Sequence, residues 1–357
     1  MFLNLEKLKK DSIKLLIKLI NTPSISRKEK KTADIIQIFL KKYGFFTNRK
    51  FNNIWVENNN CKKKNPKKIL LNSHHDTVYP SKNWKYNPFK SVIKGEKIIG
   101  LGSNDAGGCV VSLIIVFIYL SSLYELPYKL ILVLSAEEEI NAKKGIKSIL
   151  PQLGKIDLGI IGEPTKMNMA IAEKGLIVLY CQSNGKTGHA AREEGINSIY
   201  LALDDIQWIR KYNFKKNSNL LGKIKTNVTQ IKAGIQRNVI PDICNFTVDI
   251  RFNEFYSYKE IFNLFKKNIK SKILTNSYFL NPSFIKNSHP IIKKAKKIGI
   301  KTYGSPTLSD QSLMKFDTIK IGVGDSARSH TQNEYIMIYE IKKGIDIYIN
   351  LLKDFSF

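Results

Sequence analysis

Four cysteines in 357 residues, Cys61, Cys109, Cys181 and Cys244, lie far apart and form no Cys-x-x-Cys pair. That spacing excludes a disulfide-stapled secreted module and predicts reduced thiols in a cytosolic protein. A long apolar run is also missing: the longest, Val110 to Leu120, is broken by Ser112 and falls short of the roughly 20 residues that span a bilayer. It predicts a buried helix. The residues Met1-Phe-Leu-Asn-Leu-Glu-Lys-Leu-Lys-Lys lack the sustained apolar core of a secretory leader, so a cytoplasmic location is expected. Histidine is scarce, with five residues in all, which makes the position of each one informative.

Negative charge is the other shortage. Thirty acidic residues face 58 Lys and Arg, for a net charge of +28, a balance that ordinarily points to nucleic acid or a membrane surface. Here the lysines are spread along the whole chain among many Asn and Ile, a pattern that codon bias toward A and T explains better than a binding face. Only Cys61-Lys-Lys-Lys-Asn-Pro-Lys-Lys68 is dense, and it reads as a solvated loop between two apolar segments. No RNA-binding aromatic signature or zinc-finger spacing accompanies it. A non-catalytic nucleic-acid or partner-binding protein therefore rests on charge alone, and neither nucleic acid nor membrane is the expected partner. A hydrophobic share of 43% with 25% charged residues is that of a soluble globular protein, and the length predicts two domains, one inserted in the other.

What is present is a series of apolar runs that end in metal-binding side chains. Leu5 to Ile20 and Lys30 to Lys42 carry helical spacing and stop before Pro23 and at Gly44. Lys68-Ile-Leu-Leu-Asn-Ser-His74-His75-Asp76 then reads as a buried strand that delivers a His-x-Asp at its carboxyl end, where ligands of open α/β sheets lie. Gly100 to Gly108 brings Asp105 to the start of the apolar helix near Cys109. The strand Lys129 to Leu134 leads to Glu137-Glu138-Glu139, and Leu158 to Gly162 leads to Glu163-Pro164. The last strand, Thr318 to Gly324, precedes the stretch Asp325 to Tyr335 that contains His330, before a closing helix to Leu352. Taken singly, each motif has an ordinary explanation: a capped turn, an N-cap, a helix first turn rich in acids, a rigid turn before proline. Together, two histidines and several carboxylates at strand ends have the composition of a site for two divalent ions that share a carboxylate.

Between Ala170 and Phe284 the pattern changes to strand, helix, two strands, helix and a weak strand: Ile177–Gln182, Ser198–Ile209, Val228–Ala233, Cys244–Phe252 and Tyr258–Ile269. This is the split βαβ arrangement of a small two-layer domain.

With these motifs in hand, the chain resembles the zinc exopeptidase and deacylase family that includes acetylornithine deacetylase, succinyl-diaminopimelate desuccinylase and aminoacylase. The resemblance is carried, in order, by Ser73-His74-His75-Asp76-Thr77-Val78, Gly102-Ser-Asn-Asp105-Ala-Gly-Gly, Ser135-Ala-Glu-Glu138-Glu139, Gly162-Glu163-Pro164-Thr165, Lys174-Gly175, Gly188-His189-Ala190, Asn238-Val-Ile-Pro241, Asp249-Ile-Arg251 and Ser329-His330. Three positions depart from the commoner pattern: His75 between the metal histidine and its aspartate, the shortened Asp105-Ala-Gly-Gly, and Glu137 in place of an aspartate.

The resemblance implies an α/β fold in which a catalytic domain, residues 1–168 and 284–357, has a mixed, largely parallel sheet covered by helices on both faces. Residues 169–283 would be an inserted, ferredoxin-like α+β domain that dimerises. It implies His74 and Glu163 on one metal ion, Glu139 and His330 on the other, and Asp105 bridging both. Zinc is the expected ion, with cobalt as the alternative. Asp76 would orient His74, Glu138 would be the catalytic base, and His189 would reach the neighbouring subunit's site to stabilise an oxyanion. Asn238 and Arg251 fall at positions that line or support the substrate site, although Arg251 reads equally as a structural ion-pair partner. The implied activity is removal of an acetyl or related acyl group from an N-acyl amino acid, with N-acetylornithine or an N-acylcitrulline of arginine biosynthesis first. An acyl-lysine deacylase, a succinyl-diaminopimelate desuccinylase or a metallo-aminopeptidase of the same family is the alternative.

Overall fold

A computed structural model describes residues 4–61, 63–123 and 125–357. The chain forms two compact units: the first comprises residues up to Ile171, Ile285–Tyr303 and Ser309–Phe357, and the second Ala172–Phe284 with Gly304–Leu308.

The first unit opens with helices α1 (Leu5–Ile20) and α2 (Lys30–Lys42). Asn4 caps α1 by accepting the Glu6 and Lys7 backbone N–H groups, and Leu8, Leu15, Leu16 and Leu19 form its buried stripe. Strands β1 (Asn48–Lys50), β2 (Asn53–Glu57) and β3 (Lys68–His74) follow, then a small ribbon of β4 (Val92–Lys94) and β5 (Lys97–Ile99). Helix α3 (Gly108–Leu123) precedes β6 (Lys129–Ser135), β7 (Leu158–Ile161) and β8 (Met169–Glu173).

The second unit contains β9 (Gly175–Asn184), β10 (Gly188–His189), α4 (Ser198–Lys211), β11 (Lys225–Ala233), β12 (Val239–Ile240), β13 (Ile243–Phe252), α5 (Tyr258–Asn268), β14 (Lys272–Ile273) and β15 (Tyr278–Leu280). The chain continues through the short strands β16 (Ser283–Phe284) and β17 (Thr302–Ser305), separated by α6 (Pro290–Lys297), to β18 (Thr318–Lys320), β19 (Tyr335–Met337) and α7 (Ile338–Leu352).

Within the first unit the sheet runs β1-β2-β6-β3-β7-β18-β8, with β6, β3, β7 and β18 mutually parallel. β2 and β8 run against them, so the sheet is mixed but mostly parallel by strand direction. The run Ile69-Leu70-Leu71 of β3 is buried on both faces, as a central parallel strand requires. Helix α3 covers one face together with α1 and α7. With its preceding turn, α3 is long and apolar enough to cross a membrane, but 72% of that window is buried within the protein, so its apolar surface is spent on the core. On the opposite face, Ile146, Ile149 and Leu153 close on Leu70, Ile131 and Val133. Gly145, Pro151 and Gly154 keep that covering segment to two short helical turns.

Register positions the site. His74 lies opposite Ser135, and Ile161 lies opposite both Asn72 and Lys320, so the parallel strands end along one edge. The last strand is shorter than its apolar run because the backbone leaves the ladder at Gly322, whose N–H donates to the Thr165 hydroxyl at 3.0 Å.

The second unit is an antiparallel sheet of order β11-β13-β9-β14, with β15 also paired to β9. Its alternation places Ile177, Leu179, Phe246, Val248 and Ile250 in one core with Ile209 of α4 and Ile261 and Phe265 of α5. Ser257 and Glu260 form a reciprocal capping box at the start of α5. This is the split βαβ order expected from the sequence pattern.

Candidate metal centre

His74, the last residue of β3, is 1% exposed. Its Nε2 lies 3.1 Å from Asp105 Oδ1 and 3.7 Å from Glu163 Oε1. Its Nδ1 faces Asp76, 3.1 Å from the backbone carbonyl and 3.5 Å from Oδ1, so the Nδ1–H donates to Asp76 and Nε2 is left directed at the acids. His75 leaves on the other side of the strand, where Nε2 donates to the Asn52 carbonyl at 2.9 Å and Nδ1 meets the Thr32 hydroxyl at 2.9 Å.

Asp105 sits in the tight turn between Gly102 and α3. Gly102 has φ of +73°, and a Cβ there would come within 2.5 Å of Thr77 Cγ2, so the turn requires glycine. The turn's N–H groups are collected by one buried acid, Glu334, which accepts from Gly102, Asn104 and Asp105. The acid triplet follows β6 in an irregular turn with Glu137 at φ +56°, and the Asp76 carboxylate accepts the Glu138 and Glu139 N–H groups. Glu163 follows β7, where the Gly162 carbonyl accepts from the Ser73 hydroxyl at 2.8 Å. His330, half-exposed, completes the set: Nε2 lies 3.0 Å from Glu139 Oε2 and 3.6 Å from Asp105 Oδ2.

Thus the two carboxylate oxygens of Asp105 face different histidines, Oδ1 toward His74 and Oδ2 toward His330. Ligand atoms of His74, Asp105 and Glu139 lie within 4.8 Å of one another, and so do those of His74, Glu138 and Glu163. Two imidazoles and several carboxylates, without a thiolate, suit divalent ions of zinc type. The electrostatics agree. Burial, with the charges of Glu163, Asp310 and Glu139, pushes Glu138 well above the usual carboxylate range despite His74. Burial also pushes Glu163 up to about 8 and Asp310 up to about 6. His74 is raised against its own burial by the charge of Glu163 and by its bonds to Asp105 and Asp76, while the bond to Glu139 lifts His330 to about 9. The protein groups alone thus leave an excess of negative charge that divalent cations would neutralise.

All of the residues expected at the metal centre, together with Asp76 and Glu138, converge in the first unit. The other three expected site residues belong to the second. There, His189 is exposed on the β10–β12 ribbon and its Nδ1 accepts the Ala191 N–H at 3.1 Å, while the Asn238 carbonyl accepts the Ala190 N–H at 3.0 Å. Arg251 forms a two-bond pair with Asp249, at 2.7 and 2.8 Å, which is the structural partnership its sequence position also allowed. Two buried acids around the centre escaped the sequence reading. Glu334 stands four residues after His330, a spacing that offered a signal; Asp310, which accepts the Ser135 hydroxyl at 2.6 Å, opens the short helical turn Asp310–Leu313 and offered none.

The model of peptidase family M20/M25/M40 matches residues 70–354, most of the chain. The chain belongs to that family. It is 25% identical to succinyl-diaminopimelate desuccinylase of Orientia tsutsugamushi (strain Boryong) over 96% of this chain and 96% of that protein. It is 27% identical to acetylornithine deacetylase of Buchnera aphidicola subsp. Schizaphis graminum (strain Sg) over 81% of both. Among solved structures, the M20 family metallo-carboxypeptidase Sso-CP2 from Sulfolobus solfataricus superposes with a TM-score of 0.78 at 19% identity, covering 96% of this chain and 98% of that one. This M20 chain is accordingly a metallohydrolase with an amidohydrolase-type site.

Proposed function

We propose that this M20 enzyme hydrolyses the amide of an N-acyl amino acid with two divalent ions, zinc first and cobalt as the alternative. His74 and Glu163 would hold one, Glu139 and His330 the other, and Asp105 both. The observation that carries the reading is Asp105, which turns one oxygen to each histidine while Glu138 stands beside His74. Two ions held by these residues would supply Lewis acidity and ease the loss of a proton from water.

The chain's own groups account for the proton. Glu138, outside the implied ligand set, would take a proton from water and return it to the departing nitrogen. Asp76 keeps His74 in the tautomer that leaves Nε2 free. His189 would stabilise the developing oxyanion from the partner subunit of a homodimer formed through the second unit, with Asn238 and Arg251 contributing to the substrate site.

N-acetylornithine or an N-acylcitrulline of arginine biosynthesis is the leading substrate, supported by the acetylornithine deacetylase relative. A succinyl-diaminopimelate substrate is favoured by a relative that aligns along 96% of the chain. Turnover of a panel of N-acyl ornithines, citrullines, lysines and diaminopimelates, with and without chelator, tests both. Specificity for the ornithine or citrulline compounds is expected; preference for succinyl-diaminopimelate selects the second substrate, and turnover that survives metal removal overturns the metal-dependent reading.

A further inference from the structure

We infer that Glu334 is a positioning residue that presets Asp105 to be shared between the two halves of the metal centre. The inference rests on the proposed bridging role of Asp105. Glu334 is 2% exposed, and both of its carboxylate oxygens are used on the turn that carries Asp105. Oε1 accepts the N–H of Asn104 at 2.8 Å and of Asp105 at 2.9 Å, and Oε2 accepts the N–H of Gly102 at 3.1 Å. These are buried donors, which the backbone cannot leave unpaired without cost, and one side chain satisfies all three.

Glu334 is itself fixed. Its carbonyl accepts the Gly100 N–H at 2.9 Å, and the next residues form β19, which pairs with β5 so that Tyr335 faces Ile99. The ladder therefore ties the segment behind His330 to the strand that leads into the Asp105 turn. On the other side of that turn, Asn104 donates to the Asp325 carbonyl at 3.0 Å and accepts the Asp325 N–H at 2.9 Å. One stretch, Asp325 to Tyr335, thus supplies His330 and both clamps on the Asp105 turn. Glu334 thereby sets the approach of Asp105 Oδ2 to His330 Nε2, now 3.6 Å. A serine, or a water in its place, would not fix two adjacent N–H groups and a third across the turn.

The test is metal affinity of the folded apoprotein, measured by Zn2+ titration against a chromogenic chelator well below the unfolding temperature. Wild type, Glu334→Gln, Glu334→Asp and Asp105→Asn are compared, with circular dichroism and apoprotein melting as controls. Glu334→Gln keeps the shape but aims an amino group at backbone donors. It should weaken Zn2+ binding by about 10- to 100-fold, with Glu334→Asp falling between it and wild type. A purely structural role would lower melting and leave the affinity of the folded protein unchanged. Affinity within about threefold of wild type in both Glu334 variants, while Asp105→Asn loses ions, overturns the positioning role. If Glu334→Gln does not fold, the affinity of Glu334→Asp decides by the same criterion. Wild-type Zn2+ affinity in Asp105→Asn would instead overturn the shared-carboxylate reading beneath it.

Discussion

Asp76 Oδ1 accepts the backbone N–H of Glu138 at 3.1 Å, and its second oxygen accepts that of Glu139 at 3.2 Å and the Ser26 hydroxyl at 2.7 Å. One carboxylate therefore orients His74 and fixes the backbone that presents Glu138 and Glu139. Burial would raise Asp76, but the bond to His74, with that histidine's charge and the other donors, holds it ionised below the usual range. Asp76→Asn keeps the size but cannot accept all of these bonds, so turnover should fall by about 10- to 100-fold or more. Metal content and kcat measured together check this; a variant with wild-type kcat shows that the bonds do not control the site.

Glu138→Gln should abolish hydrolysis while leaving metal content and fold largely intact, because the amide is nearly isosteric and cannot take a proton at neutral pH. Single-turnover assays with metal analysis give the answer. Loss of metal together with activity would make Glu138 a ligand, a possibility with geometric substance, since Glu138 lies within reach of both His74 and Glu163.

The two adjacent histidines show what could be read from the sequence. Neighbouring residues at a strand end point to opposite sides, so His74 enters the acid cluster and His75 enters the packing beneath Thr32 and Asn52. The strands were legible because fully buried parallel strands are continuous apolar runs, and the metal site because scarce histidines and acids cluster at their ends. Asp310 was not, because an acid that meets a serine hydroxyl across the fold leaves no local spacing in the chain. Glu334 was visible as a residue but not as a clamp, since its partners are backbone N–H groups more than 200 positions away.

His75 leads to a pH prediction. Burial lowers it to about 4, below the roughly 6.5 of an unfolded chain, so the folded state resists its protonation. The stability it contributes is whole above about pH 6.5 and is lost as pH falls toward 4, amounting to about 2 kcal/mol by pH 5. A cation on neighbouring His74 acts in the same direction. His75→Gln should flatten the fall in unfolding free energy between pH 8 and pH 5 by about that amount relative to wild type. Denaturant melts at the two pH values provide the comparison, and parallel losses in both proteins would show that His75 titrates normally.

His189 tests the proposed dimer. It is exposed on the β10–β12 ribbon of the second unit, and its Nδ1 accepts the Ala191 N–H, which places the ring proton on Nε2 as a donor. If His189 stabilises an oxyanion in the partner's site, His189→Ala should lower turnover by about 10²- to 10³-fold without loss of metal. That result alone does not separate action within a chain from action across the dimer. Mixing does: His189→Ala and Glu138→Gln chains are each impaired, but a heterodimer contains one site with Glu138 from the first chain and His189 from the second. Subunit exchange, verified by differently tagged chains, should restore up to about half the wild-type activity per heterodimer if the histidine acts in trans. Verified heterodimers without recovery would reject the shared site, because the only chain with an intact Glu138 would then be relying on its own missing histidine.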